Sequence, residues 1–202
     1  MSPLSASESR RMEDLTHHLM ENVLPDQPLR QWVLSPPFDL AGLLSVRGKV
    51  LSFMIRCFVE TITKQMVEAS GLPKEARPCS GAIVFVQRFT KQMSLYPHLH
   101  CLVLDGVYAK VDGELQFFRV EPPSERDLMD VGRSFFQRFE AFLKREGYLN
   151  QDQTQQELND VEAWALQATQ EPSLVGRCDL QVKRQNLSTT IGGFSIHAGV
   201  SI

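Results

Sequence analysis

The run Tyr96-Pro97-His98-Leu99-His100-Cys101-Leu102-Val103-Leu104-Asp105 constrains this chain more than any other stretch. Two imidazoles stand two positions apart at the start of an apolar run. On a β-strand successive side chains alternate between faces, so His98 and His100 share one face while Leu99 enters the opposite layer. Two nitrogen donors can then converge on one cation. Pro97 suits the first position of such a strand, because it cannot donate to the ladder, and Gly106 marks the stop.

Bulk properties set the frame for that strand. At 202 residues and 43% hydrophobic content, the chain suits one globular domain with a substantial core. Its longest apolar stretches, around Val50 to Val59 and Ala82 to Val86, are short, and the first contains Arg56, so neither is expected to span a bilayer. The Ser-rich segment Met1 to Arg11 has no apolar core of the kind a secretory signal needs, and a cytoplasmic location is expected. Cys57, Cys79, Cys101 and Cys178 are widely separated and form no Cys-x-x-Cys pair, which argues against a zinc cage or a disulfide framework. The formal net charge of −3 hides an asymmetry. Residues 30 to 110 carry ten Lys/Arg against five Asp/Glu, a net of +5, whereas residues 111 to 176 carry six against thirteen, a net of −7. The basic block contains the His pair and would attract a phosphate backbone.

Periodicity supplies the remaining elements. Glu8 to Leu24 reads as a first, weakly amphipathic helix ending before Pro25, and Arg30 to Ser35 as a strand stopped by Pro36-Pro37. From Leu43 to Ala69, Val50, Met54, Phe58, Ile62 and Met66 recur every four positions, predicting one long helix closed by Gly71 and Pro73. Gly81 to Phe89 reads as a second strand, antiparallel to the His-bearing strand, and Tyr108 to Val120 as a hairpin turning at Asp112-Gly113. Ser124 is the expected N-cap of a helix with an apolar stripe of Leu128, Val131, Phe135, Phe139 and Phe142. Residues 150 to 160 are polar and Gln-rich, consistent with an insertion. The segment Phe194 to Ile202 alternates, with Phe194, Ile196, Val200 and Ile202 on one side and Ser195, His197 and Ser201 on the other. The order β, α, β, β, α, β predicts an α+β fold, a ferredoxin-like or RNA-recognition-like antiparallel sheet with helices on one face. The other face is left for Gln87, His98, His100 and His197.

Four ordered motifs carry a family resemblance: Gln31-Trp32-Val33-Leu34-Ser35 with Pro37-Phe38, Val86-Gln87-Arg88-Phe89, Pro97 to Gly106, and Gly193-Phe194-Ser195-Ile196-His197-Ala198. Together they resemble the HUH (His-hydrophobic-His) transposases of rolling-circle insertion sequences, the group typified by insertion sequence ninety-one. The resemblance runs from about Arg10 to Ile202. It implies the HUH palm fold, with residues 1–28 a helical segment preceding the palm and residues 29–202 the palm itself. It also implies a divalent metal, Mg or Mn, held by His98, His100 and a third polar residue. Gln87 is the favoured third ligand and His197 the runner-up. Ligand softness by itself points toward Zn or Mn. Single-stranded DNA is the implied partner, nicked and rejoined through a 5′-phosphotyrosine.

Two departures from the resemblance shape the expectation. Relatives carry a cysteine-rich zinc-binding region before the first helix, but no Cys precedes Cys57. They also place the nucleophilic tyrosine on a helix after the strand bearing His197, whereas the tyrosines here are Tyr96, Tyr108 and Tyr148. The expected product is a truncated, catalytically incomplete form with no nucleophile of its own. A metal-independent single-strand-binding module or inactive remnant is the alternative. A metal-dependent hydrolase is disfavoured, because no second His pair or carboxylate cluster is visible.

Overall fold

A computed structural model describes Asp14 and residues 17–90, 94–148 and 187–201. The Gln-rich segment at 150 to 160 lies outside the described residues, as does part of the first predicted helix, which ends in a π-helical turn, Leu19–Val23. Five strands form one sheet: β1 (Leu29–Ser35), β2 (Ala82–Phe89), β3 (Leu95–Leu104), β6 (Ser188–Ile191) and β7 (Phe194–Ser201). Their order is β2-β3-β1-β7-β6, and each neighbouring pair is antiparallel. Without the added edge strand β6, this is the split βαβ arrangement in which a later strand inserts between two earlier ones. The predicted α+β layer is the observed one. β4 (Gly106–Val111) and β5 (Glu114–Arg119) form a separate two-stranded ribbon. Asp112 and Gly113 at its turn both have positive φ, 53° and 88°, as a two-residue hairpin requires.

The helix expected from Leu43 to Ala69 is two helices, α1 (Ala41–Val46) and α2 (Gly48–Ala69). Arg47 leaves the helical region at φ −104° and ψ 88°, and its carbonyl accepts from the Val50 and Leu51 amides, starting the second helix. The break lets each helix bury its own stripe: Ala41 to Leu44 in α1, and Val50, Met54, Phe58, Ile62 and Met66 in α2. α3 (Glu125–Arg145) begins in a capping box. The Asp127 amide donates to Ser124 Oγ at 3.2 Å, and the Ser124 amide donates to Asp127 Oδ2 at 2.8 Å.

One face of the sheet supplies Trp32, Leu34, Leu99, Cys101, Val103, Phe194, Ile196 and Ala198 to a core completed by α2 and α3. Phe135 lies at its centre, edge-on to both Phe58 at 5.6 Å and Phe194 at 5.1 Å. A buried ion pair lies on the same side. Arg30 donates through Nε and Nη2 to both carboxylate oxygens of Asp105 at 2.8 Å, and through Nη1 to the Ala198 carbonyl at 3.2 Å. That guanidinium on β1 ties the bend after β3 to β7.

Two local features depart from the sequence reading. β7 does not alternate strictly, because Gln31 faces Val200 while Val33 faces His197, so one extra residue bulges near Ala198. The edge strand β6 was not expected at all. Gly192 and Gly193, with φ of 56° and 79°, form its hairpin turn with β7, and that Gly-Gly pair between β-rich runs was the available signal.

Candidate metal centre

The sheet face away from the helices carries the polar residues. His98 and His100, both half-buried, lie side by side on β3 with ring centroids 5.1 Å apart. Gln87 on β2 is the direct cross-strand partner of His98. Directly opposed residues of an antiparallel pair share a face with Cβ atoms about 4.5–5.5 Å apart, so the amide and the imidazole are neighbours. His197 is placed differently. It faces Val33, which on its other side faces His100, so two strand spacings of about 4.8 Å each separate the two histidines. Its Nε2 lies 3.1 Å from Ser195 Oγ. The register therefore brings together Gln87, His98 and His100, and leaves His197 one strand beyond.

Each imidazole of the pair is held through Nδ1. His98 Nδ1 is 2.9 Å from the Tyr96 carbonyl, which can only accept, so the proton sits on Nδ1 and the Nε2 lone pair is free. His100 Nδ1 is 3.0 Å from Nε2 of Gln31 on β1. With the amide N–H donating, His100 carries its own proton on Nε2. A half-turn of the amide presents Oε1 instead, draws the proton to Nδ1 and frees the Nε2 lone pair. Anchoring of the non-ligating nitrogen is the arrangement that orients metal-binding histidines. Burial lowers the His100 pKa and the neighbouring His98 lowers it further, which favours the neutral ring a cation requires.

Gln31 was not among the expected site residues. Its strand phase, alternating with buried Arg30 and Trp32, places it on the polar face, but its contact with His100 depends on β1 lying next to β3. Among the described residues no three His, Cys, Asp or Glu side chains converge to hold a metal. Beside the two imidazoles, the Gln87 amide on the neighbouring strand is placed to offer an oxygen. Two nitrogens and an amide oxygen on an open face form an incomplete shell, leaving positions for substrate oxygens. The donor set thus fits a divalent cation.

Of the tyrosines, Tyr96 stands beside His98 and Tyr148 packs against the core. Half-buried Tyr96 donates its hydroxyl to the Pro36 carbonyl, and burial raises its pKa. Tyr108 stacks edge-on against Phe117 in the β4–β5 ribbon at 5.1 Å. No described helix is long and apolar enough to cross a membrane.

The model of a family described as "putative transposase" matches residues 81–198, more than half of the chain, from β2 to the bulge of β7. No curated protein and no solved structure matches.

Proposed function

The chain belongs to the putative transposase family, and from that premise we propose that it is the metal- and strand-binding palm of an HUH transposase of the insertion sequence ninety-one type, acting on single-stranded DNA. The observation that carries this reading is the pair of imidazoles on one open face, each tethered through Nδ1, with the Nε2 lone pair of His98 free and that of His100 freed by a half-turn of the Gln31 amide. Mg or Mn would be the ion. Bound there, it would draw off charge developing on a scissile phosphate and its leaving oxygen.

The chain's own residues act around that ion. His98 and His100 hold it, Gln87 adds an oxygen, and the Tyr96 carbonyl and Gln31 amide keep the rings from turning. We assign no catalytic tyrosine to this chain: the Tyr96 hydroxyl is spent on the Pro36 carbonyl, Tyr108 lies in the β4–β5 ribbon and Tyr148 packs against the core. A rolling-circle reaction through a phosphotyrosine would take its tyrosine from another segment or chain.

Calorimetric titration with Mn tests the proposal. Saturable binding that disappears in His98→Ala and in His100→Ala is expected, and equal binding by all three proteins would refute the metal centre. Incubation of a labelled single strand with Mn and this chain, read on a denaturing gel, should give no covalent adduct. An adduct would overturn the statement that no nucleophile is present. If the chain binds a single strand but no metal, the alternative of a metal-independent binding module replaces the first reading.

A further inference from the structure

A file of rings leads away from the imidazole pair. His98 lies 5.9 Å from Tyr96, and Tyr96 lies 6.4 Å from Phe38, with the last two rings within 18° of parallel. Phe38 ends the file and is 75% exposed, the most exposed of the large hydrophobic side chains in the described residues. An isolated exposed apolar residue needs no explanation. This one differs because its support is rigid. Pro36 and Pro37 precede it with fixed φ, the Tyr96 hydroxyl donates to the Pro36 carbonyl, and the Leu40 amide donates to the Pro37 carbonyl at 3.1 Å. Gly193, in the β6–β7 turn, packs so closely on Pro37 that a Cβ there would come within 2.9 Å of the proline ring. Tyr96 stands alongside the Phe38 ring, near-parallel and offset, so that Phe38 is two ring contacts from His98.

We propose that Phe38 is a stacking shelf for a nucleobase of single-stranded DNA, the base of a nucleotide next to the phosphate held at His98 and His100. The inference rests on the single-strand reading above. Every base has a π-face, so an aromatic shelf adds affinity without demanding a particular sequence, whereas a duplex keeps its bases stacked inside and offers it nothing. Tyr96, in contact with both Phe38 and His98, links the shelf to the imidazole pair, so that base and phosphate are presented in fixed register.

The test measures affinity of the full chain for a short fluorescent single strand and for the same strand carrying one abasic position, scanned along its length. Phe38→Ala should weaken binding of the intact strand about tenfold, while Phe38→Trp retains it and Mn affinity stays unchanged in both. At one abasic position the wild-type protein should lose the same factor, and Phe38→Ala should lose nothing more. Equal affinity of wild type and Phe38→Ala would overturn the shelf while leaving the metal-centre proposal standing. A change in oligomeric state on Phe38→Ala without a change in DNA affinity would overturn it in favour of a contact between copies. Failure of the wild-type chain to bind any single strand would remove both readings together.

Discussion

The two faces of the five-stranded sheet obey different rules. The covered face follows packing: Trp32, Leu34, Leu99, Cys101 and Ile196 are all within 1% of full burial, and the buried Arg30–Asp105 pair is joined by two hydrogen bonds. On the open face His98, His100, Gln31 and Gln87 remain half-buried, with one anchor per ring and atoms left over. A side chain on the covered face is needed for the fold to persist, and one on the open face for what the fold can hold. Both sets alternate residue by residue along the same strands, so neighbouring substitutions should have unlike consequences.

The sharpest contrast is between Asp105 and His100. Asp105→Ala strands the Arg30 guanidinium in the core and should cost about 3–5 kcal/mol of stability, read by denaturant unfolding. A loss below 1 kcal/mol would mean the covered face tolerates an unpaired charge and would blur the distinction. His100→Ala should abolish Mn binding yet shift stability by no more than about 0.5 kcal/mol, as for a substitution away from the core. Gln31→Ala, which removes only the anchor of His100, should weaken Mn binding about 10-fold, with Gln31→Glu preserving it. Ser124→Ala, a cap on a helix serving the covered face alone, should cost about 1 kcal/mol and leave Mn affinity untouched.

Acidity offers a further probe of the open face. Burial holds the His100 pKa below the ordinary imidazole value, so the folded state favours the neutral ring. Its contribution to stability is complete above the unfolded-state pKa and is lost as pH falls through the lowered folded value. Protons and metal compete for the same lone pair, so Mn affinity should fall on acidification through that lowered pKa. An NMR titration of the His100 ring with a midpoint above the ordinary value would contradict this.

Much of the covered face was legible in the sequence. The spacing of Val50, Met54, Phe58, Ile62 and Met66, and of Leu128, Val131, Phe135 and Phe139, announces helices that must bury one stripe, and these residues are buried. The period of two through His98 and His100 likewise placed both rings on one face. What periodicity does not carry is which strand lies beside which. Gln31 meets His100 across 69 positions of chain, a contact visible only once β3 lies between β1 and β2. The break at Arg47 was hidden for a related reason, since the apolar repeat runs through it and only packing against the sheet separates α1 from α2. In the sequence Arg30 and Asp105 are two charges within the basic block, and only the fold shows them as an internal pair.

The anchor of His98 has a genetic consequence. Its partner is the carbonyl oxygen of residue 96, a group every amino acid possesses, so the side chain at that position can change while the tautomer of His98 stays fixed. Alanine scanning is blind to such a determinant. It would surface only through replacement of that peptide unit by chemical synthesis, or through loosening of the strand end, where shape and protonation would be lost together.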